Sequence, residues 1–388
     1  MAAPLRLGIA GLGRGFTLML PTFLADPRVK LVAAADARRE NVERFAADFA
    51  ARAYDDVAAM ARDPEIDAIY VATPHQFHAE HTIAAARGGK HILVEKPMAL
   101  SLAECRAIIE AARDAGVHLV VGHSHSFDAP IGLARSLIAS GRYGRLRMIT
   151  ALDFTDFLYR PRRPEELDTA QGGGAVFNQG AHQIDVARFL AGAPARSVRA
   201  MTGRWDPARP TEGAYTAFLS FADGAAASLT YNGYAHFDSD EFCGWIAESG
   251  MRKNPARYGE ARRALHAASD EGTARAQQGY AALGRSDAAG GRLHPHFGLV
   301  IASCERADLR PGPEGVMIYG DDERRLETLP PPEVPRREVI DELCAAVFEN
   351  RAPVHSGEWG MAVIEICHAI LQSAAEGREI ALAHQGAP

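Results

Sequence analysis

From residue 5 to residue 122, short apolar runs alternate with stretches of helical periodicity. The strand-like runs cover 5–10, 30–35, 67–72, 91–94 and 118–122; the helical ones cover 14–25, 39–51, 79–87 and 101–115. Pro21 is expected to kink the first helix. Gly88-Gly89 stops the third, and Ser101 with Glu104 three residues on reads as a capping box for the fourth. Near-continuous apolar strands separated by helices require a parallel sheet covered on both faces, which places this part of the chain in the α/β class.

After about Ser126 the pattern changes. Segments 146–156, 197–205, 215–221 and 225–231 read as longer strands with little helix between them, and Asp223-Gly224 is a hairpin signal. Strands resume at 300–304 and 316–319, and two helices, 336–348 and 359–376, close the chain. The expectation is two domains, 1–125 and 126–388. The second is a mostly antiparallel sheet domain interrupted by a polar, Ala/Arg-rich and helical insertion over about 249–291.

Composition excludes several classes. A net charge of −7 and the absence of a Lys/Arg run argue against a nucleic-acid partner. No apolar run approaches the roughly 20 residues needed to cross a bilayer. The start, MAAPLRLGIAG, lacks the basic and long apolar regions of a signal peptide, so a cytoplasmic protein is expected. Five widely spaced cysteines (105, 243, 304, 344 and 367) without a CxxC pattern suggest reduced thiols rather than disulfides or a zinc site. His75, His78 and His81, the pair His123 and His125, and the pair His294 and His296 lack a clear third ligand, so no metal is expected.

The turn after the first strand reads Gly11-Leu12-Gly13-Arg14-Gly15-Phe16. Glycines there allow a sharp turn and let the backbone approach a diphosphate, while the following helix offers free N–H groups and a partial positive charge. The pattern departs from G-x-G-x-x-G, because Phe16 holds the sixth position. Asp36 ends the next strand, where a carboxylate can accept from ribose hydroxyls and disfavours a 2′-phosphate. That selects NAD, with NADP the alternative because Arg38 and Arg39 follow.

Two further motifs are HILVEKP at 91–97 and GGGAVFNQGAHQID at 172–185. With the glycine turn, they resemble the signatures of the glucose–fructose oxidoreductase/inositol dehydrogenase/rhizopine-catabolism (Gfo/Idh/MocA) family. The resemblance runs the length of the chain. It implies an N-terminal Rossmann fold plus a C-terminal α+β domain with a large, mostly antiparallel open sheet. It also implies cofactor contacts from Gly11, Gly13, Arg14, Gly15, Phe16, Asp36, Arg38, Thr73, Pro74, His78, Glu95 and Lys96. Lys96 would stand near the nicotinamide and His182 would be the acid/base. The family's acidic residue four positions before that histidine is Asn178 here, which can orient a ring but cannot take its proton. On a helix, Asn178, His182 and Asp185 would share one face. Read from its surroundings alone, Glu95 is more a pairing or capping residue.

Segments within 153–238 resemble the phthalate cis-dihydrodiol dehydrogenase branch of the family. That implies oxidation of a secondary alcohol on a cyclic cis-diol bearing carboxylates. Arg160, Arg162 and Arg163 suit carboxylate binding, His125 and Asp185 are further substrate candidates, and a solvated basic loop is the plain alternative for the arginines. The rival readings are a sugar or inositol dehydrogenase, a relative that cleaves glycosides with no net redox change, and a non-catalytic regulator. The resemblance also implies a homodimer or homotetramer acting on a small molecule.

Overall fold

The computed structural model describes residues 3–122, 124–268, 270–276, 279–280 and 292–386. His123 and part of the expected insertion therefore lie outside the described residues. The chain forms two compact units.

The first unit begins with β1 (Leu5–Ala10), α1 (Arg14–Ala25), β2 (Val29–Ala35), α2 (Arg39–Phe49), β3 (Arg52–Tyr54) and α3 (Val57–Ala61). It continues with β4 (Ala68–Val71), α4 (His78–Arg87), β5 (His91–Val94), α5 (Leu102–Ala115) and β6 (Leu119–Val121). All six strands are parallel, in the order β3-β2-β1-β4-β5-β6. The order reverses between β1 and β4, which opens a crevice at their carboxyl ends in folds of this type. β4 is buried at every position, as a strand covered on both faces must be. The three-residue edge strand β3 is too short and too polar to show as a run in the sequence. α1 continues through Pro21 as a single helix. Ser101 caps α5 by accepting from the Glu104 N–H, as the spacing predicts.

The second unit starts at Ser124. It contains α6 (Ala129–Ala139), β7 (Leu146–Phe154), α7 (Ala181–Ala191), β8 (Ala195–Gly203), β9 (Ala214–Phe221) and β10 (Ala226–Asn232). Helices α8 (Glu260–Ala267) and α9 (Glu271–Ala276) lie in the expected insertion, and α9 runs across the division between the units. Strands β11 (Leu299–Cys304), β12 (Ala307–Gly312), β13 (Gly315–Gly320) and β14 (Arg324–Thr328) follow. After α10 (Arg337–Glu349) and α11 (Gly357–Glu376), β15 (Ile380–Ala381) adds to β8. The sheet has nine strands, β14-β13-β12-β11-β7-β10-β9-β8-β15, and only β7–β10 is parallel. The hairpin at Asp223-Gly224 joins β9 to β10, with Gly224 at φ +89°. Alternate residues such as Ile149, Ala151, Val198, Leu219 and Leu229 are buried, with α7 packed on β7 and β10, whereas Met148, Met201 and Phe218 are exposed.

The division expected at residues 125 and 126 needs revision at the C-terminal end. Glu333–Ile364, which includes α10 and the first part of α11, belongs to the first unit. There the His355 carbonyl accepts from the Val121 N–H at 2.8 Å. Tyr280, from the insertion, also packs in the first unit against Phe16, Phe45 and Phe49.

Candidate active site

The turn after β1 divides its work among its glycines. Gly11 has φ +92°, and a Cβ there would stand 2.7 Å from the Ala72 carbonyl oxygen, so only glycine fits. Gly13 precedes α1 in extended conformation, and a Cβ on it would meet no protein atom within 4 Å. That open cradle at the start of a 12-residue helix with no side-chain cap suits a diphosphate. Asp36 braces the turn. One of its oxygens accepts from the Leu12 N–H at 2.7 Å, and the other accepts from the Arg38 N–H and the Asn41 amide at 2.8 and 3.1 Å. Phe16, expected at the cofactor, is instead fully buried among Phe23, Phe45 and Tyr280. The sixth position of the fingerprint is a core position here, filled by a ring rather than left small. Arg14 is exposed at the head of α1.

Thr73 and Pro74 form the loop after β4. The Thr73 carbonyl and the Pro97 carbonyl lie 2.7 and 2.8 Å from the two ring nitrogens of His78, which is 1% exposed. Burial pushes His78 down to about 4, against the pull of the two carbonyls, so the ring is neutral and donates to one of them. It is a strut between this loop and the segment after Lys96. Glu95 accepts from the buried Tyr70 hydroxyl, so it holds a structural partner as its surroundings suggest. Lys96 follows β5 at the carboxyl end of the sheet.

In the second unit, the glycine-rich motif leads into a π-helical turn, Val176–Gly180, before α7 begins. Gly174 has φ +80°, and a Cβ there would lie 2.2 Å from the Glu212 carboxylate, which accepts from the Val176 N–H. The wider turn alters the α-helical register assumed for Asn178 and His182. The Asn178 amide nitrogen donates to the carbonyls of Gly172 and Gly174 at 3.1 and 2.9 Å, so it secures the loop. Asp185 accepts from the Ser126 hydroxyl and fixes the short turn that carries His125.

His182 lies 4% exposed with Nδ1 at 3.3 Å from the Ser124 hydroxyl. Its ring meets His125 edge-on at 4.9 Å, and both rings lie 5.0 Å from Phe297. Tyr231 stacks on Phe297 at an interplanar angle of 11°. His125 has carboxylate partners on both ring nitrogens. Its Nδ1 is 2.7 Å from buried Asp128, and its Nε2 is 3.3 Å from Glu248. Burial opposes its charge, but the two carboxylates prevail and push it up to about 9. Nearby, burial and the charges of Glu248 and Asp240 push Asp153 up to about 7, although it accepts from Ser239 at 2.6 Å. Sequence reading missed Asp128, Phe297, Tyr231, Glu248 and Asp153; Asp128, three residues after His125, was the one short-range clue.

The arginine loop divides. Arg160 pairs with Asp156 at 3.0 Å, is partly exposed, and lies within electrostatic reach of Glu248 and Tyr231. Arg162 is buried, stacks 3.7 Å over Phe157 and donates to its carbonyl. Arg163 pairs with Glu165 and Glu166. Arg160 thus shares Glu248 with His125. His294 and His296 face the carbonyls of Pro330 and Ile246. Among the described residues, no group of three or more His, Cys, Asp or Glu side chains could hold a metal ion. None of the described helices is long and apolar enough to cross a membrane.

Residues 5–123 match a family described as oxidoreductase, NAD-binding Rossmann fold, and residues 131–250 match the GFO/IDH/MocA C-terminal domain. The chain is 47% identical over 374 residues to the 1-carboxy-3-chloro-3,4-dihydroxycyclo hexa-1,5-diene dehydrogenase of Comamonas testosteroni, covering 95% of this chain and 94% of that one. It is 31% identical over 200 residues to the scyllo-inositol 2-dehydrogenase (NAD(+)) of Bacillus subtilis, or 51% of this chain and 57% of the relative. A crystal structure from Bordetella bronchiseptica RB50, described as a dehydrogenase, shares 42% identity and a TM-score of 0.93, covering 98% of this chain and 100% of that one. Levoglucosan dehydrogenase in complex with NADH and levoglucosan shares the fold, with a TM-score of 0.72 at 21% identity over 97% of this chain and 99% of that one.

Proposed function

This chain belongs to the Gfo/Idh/MocA family of NAD-binding oxidoreductases, and we propose that it oxidises a cyclic cis-dihydrodiol carrying a carboxylate. The similarity to the Comamonas dehydrogenase, whose name specifies a carboxylated dihydroxycyclohexadiene, supports this substrate class. The observation that carries it is the clustering of His182 with the rings of His125, Phe297 and Tyr231 and the nearby Arg160, a setting for a flat, anionic ring. Bound NAD supplies the hydride acceptor. Gly13 and the head of α1 hold its diphosphate, and Asp36, at the end of β2, favours NAD over NADP. Lys96 or His182 takes up the proton of the reacting hydroxyl. Ser124 orients the His182 ring through Nδ1. Asn178 and Asp185 act one step back, by fixing the backbone of the glycine-rich motif and the turn that carries His125.

We place the enzyme in the cytoplasm, where its five cysteine thiols stay reduced. The open sheet face around Met148, Met201 and Phe218 suits a homodimer or homotetramer. The test follows NADH formation with a carboxylated cyclohexadiene cis-diol, inositol and glucose. The diol is expected to be the best substrate. Lys96→Ala and His182→Ala should each lower kcat by about 10²–10⁴-fold while NAD still binds. Faster oxidation of the polyols, or normal turnover by both variants, overturns the reading.

A further inference from the structure

Two carboxylates address the His125 ring, and they differ in kind. Asp128 is 3% exposed at its side chain and lies 2.7 Å from Nδ1. It holds the ring and is inaccessible. Glu248 is 44% exposed at its side chain and lies 3.3 Å from Nε2, a longer contact made from the solvent side. Arg160, 38% exposed at its side chain, exerts its charge on Glu248 as well. The Glu248 carboxylate is therefore a partly exposed anion shared by two cations, one of which, His125, packs against Phe297 and the His182 ring.

We propose that Glu248 holds the place of the substrate carboxylate, and that His125 and Arg160 form the anion site that selects carboxylated diols. This deepens the reading above and rests on it for the identity of the substrate. Asp128 keeps the imidazole protonated, so Nε2–H is a charged donor at neutral pH. One imidazolium flanked by Asp128 and Glu248 already carries an excess of negative charge. A second incoming carboxylate would be repelled unless Glu248 leaves. The exchange replaces one charge-assisted hydrogen bond with another, and Glu248 regains full hydration at its exposed position. An uncharged diol makes no such exchange and leaves Glu248 in place. The site thus discriminates by requiring an anion to displace an anion, which combines attraction to the correct ligand with a penalty against the wrong one.

Binding of benzoate to the full-length protein, measured by calorimetry with benzamide as the uncharged control, tests the site without relying on turnover. Glu248→Gln removes the resident anion and keeps its shape, and should tighten benzoate by about three- to tenfold. His125→Gln and Arg160→Gln should each weaken benzoate by about tenfold or more, with benzamide changed less than about twofold in every variant. Weaker benzoate binding in Glu248→Gln, equal shifts for benzoate and benzamide, or no measurable benzoate binding by either the wild type or Glu248→Gln overturns the proposal. Steady-state kinetics with the carboxylated diol and the same diol lacking the carboxylate separate the two levels of inference. If benzoate behaves as expected and neither diol is oxidised, the anion site stands and the substrate reading falls. If both diols are oxidised with equal KM in wild type and Glu248→Gln, the substrate reading survives and the anion site does not.

Discussion

The glycine turn of the first unit and the histidine pair of the second are built in opposite ways. The turn is made within one short stretch of chain, Gly11 to Phe16, and is braced by Asp36 from the adjacent parallel strand. The histidine pair is assembled from residues 125, 128, 182, 231, 248 and 297, which reach one another through the nine-stranded sheet and its covering helices. A site made of backbone tolerates almost no change of residue, because the backbone itself is the ligand. A site made of side chains from distant segments tolerates change at each position and alters its chemistry by doing so. One family can therefore keep its cofactor while its members differ in substrate.

The contrast is sharpest in two neighbouring glycines. Gly11→Ala meets a backbone carbonyl at 2.7 Å and forces a side chain into φ +92°, so it should cost about 4 kcal/mol of stability. Gly13→Ala adds its methyl to open space and should leave the melting temperature unchanged, yet weaken NAD by about tenfold if, as proposed, that space is the diphosphate's. Thermal melts and NAD titrations of the two variants separate folding from binding. Equal stability losses would mean that the open space at Gly13 is not a cradle.

The same difference explains what the sequence discloses. The parallel sheet, the turn and the strand-end position of Lys96 are legible because periodicity and local motifs encode them. The π turn at Val176–Gly180 was not legible, because spacing assumes α-helical register for Asn178 and His182. The burial of the Phe16 ring was not legible, because Phe45 and Tyr280 close over it from distant parts of the chain. β12 escaped notice because Pro311 and Gly312 break its apolar pattern, yet both lie within the paired strand. Phe297 and Glu248 carry no local signal, since their meaning arises only from long-range contact with His125.

In the second unit, charge rather than backbone geometry is the variable. His125 is held by Asp128 from its own turn, Glu248 from the loop after Cys243, and His182 from α7. Its folded value of about 9 exceeds the unfolded value of about 6.5. The resulting stabilisation is fully present below pH 6.5 and is lost as pH rises through about 9. It amounts to roughly 3 kcal/mol. Asp128→Asn keeps the shape and a hydrogen-bond acceptor but removes the charge, so it should abolish most of this slope. Melting curves at pH 6 and 9.5 should converge for the variant and diverge for the wild type. Parallel behaviour would mean that His125 is neutral in the folded protein.

The smallest effect links the insertion to the turn. The Tyr280 N–H donates to the Leu12 carbonyl at 3.0 Å, and its hydroxyl donates to Asp48 at 2.6 Å. Its ring covers Phe16 and takes a cation–π contact from Arg44 at 5.1 Å. Tyr280→Phe removes only the hydroxyl and should cost about 1 kcal/mol, with NAD affinity unchanged because the backbone bond and the ring remain. Tyr280→Ala removes the ring and should also loosen the turn, which an NAD titration would register. If Tyr280→Phe weakens NAD as strongly as Tyr280→Ala, the insertion acts on the cofactor through the hydroxyl, and the turn is less self-contained than its contiguous sequence suggests.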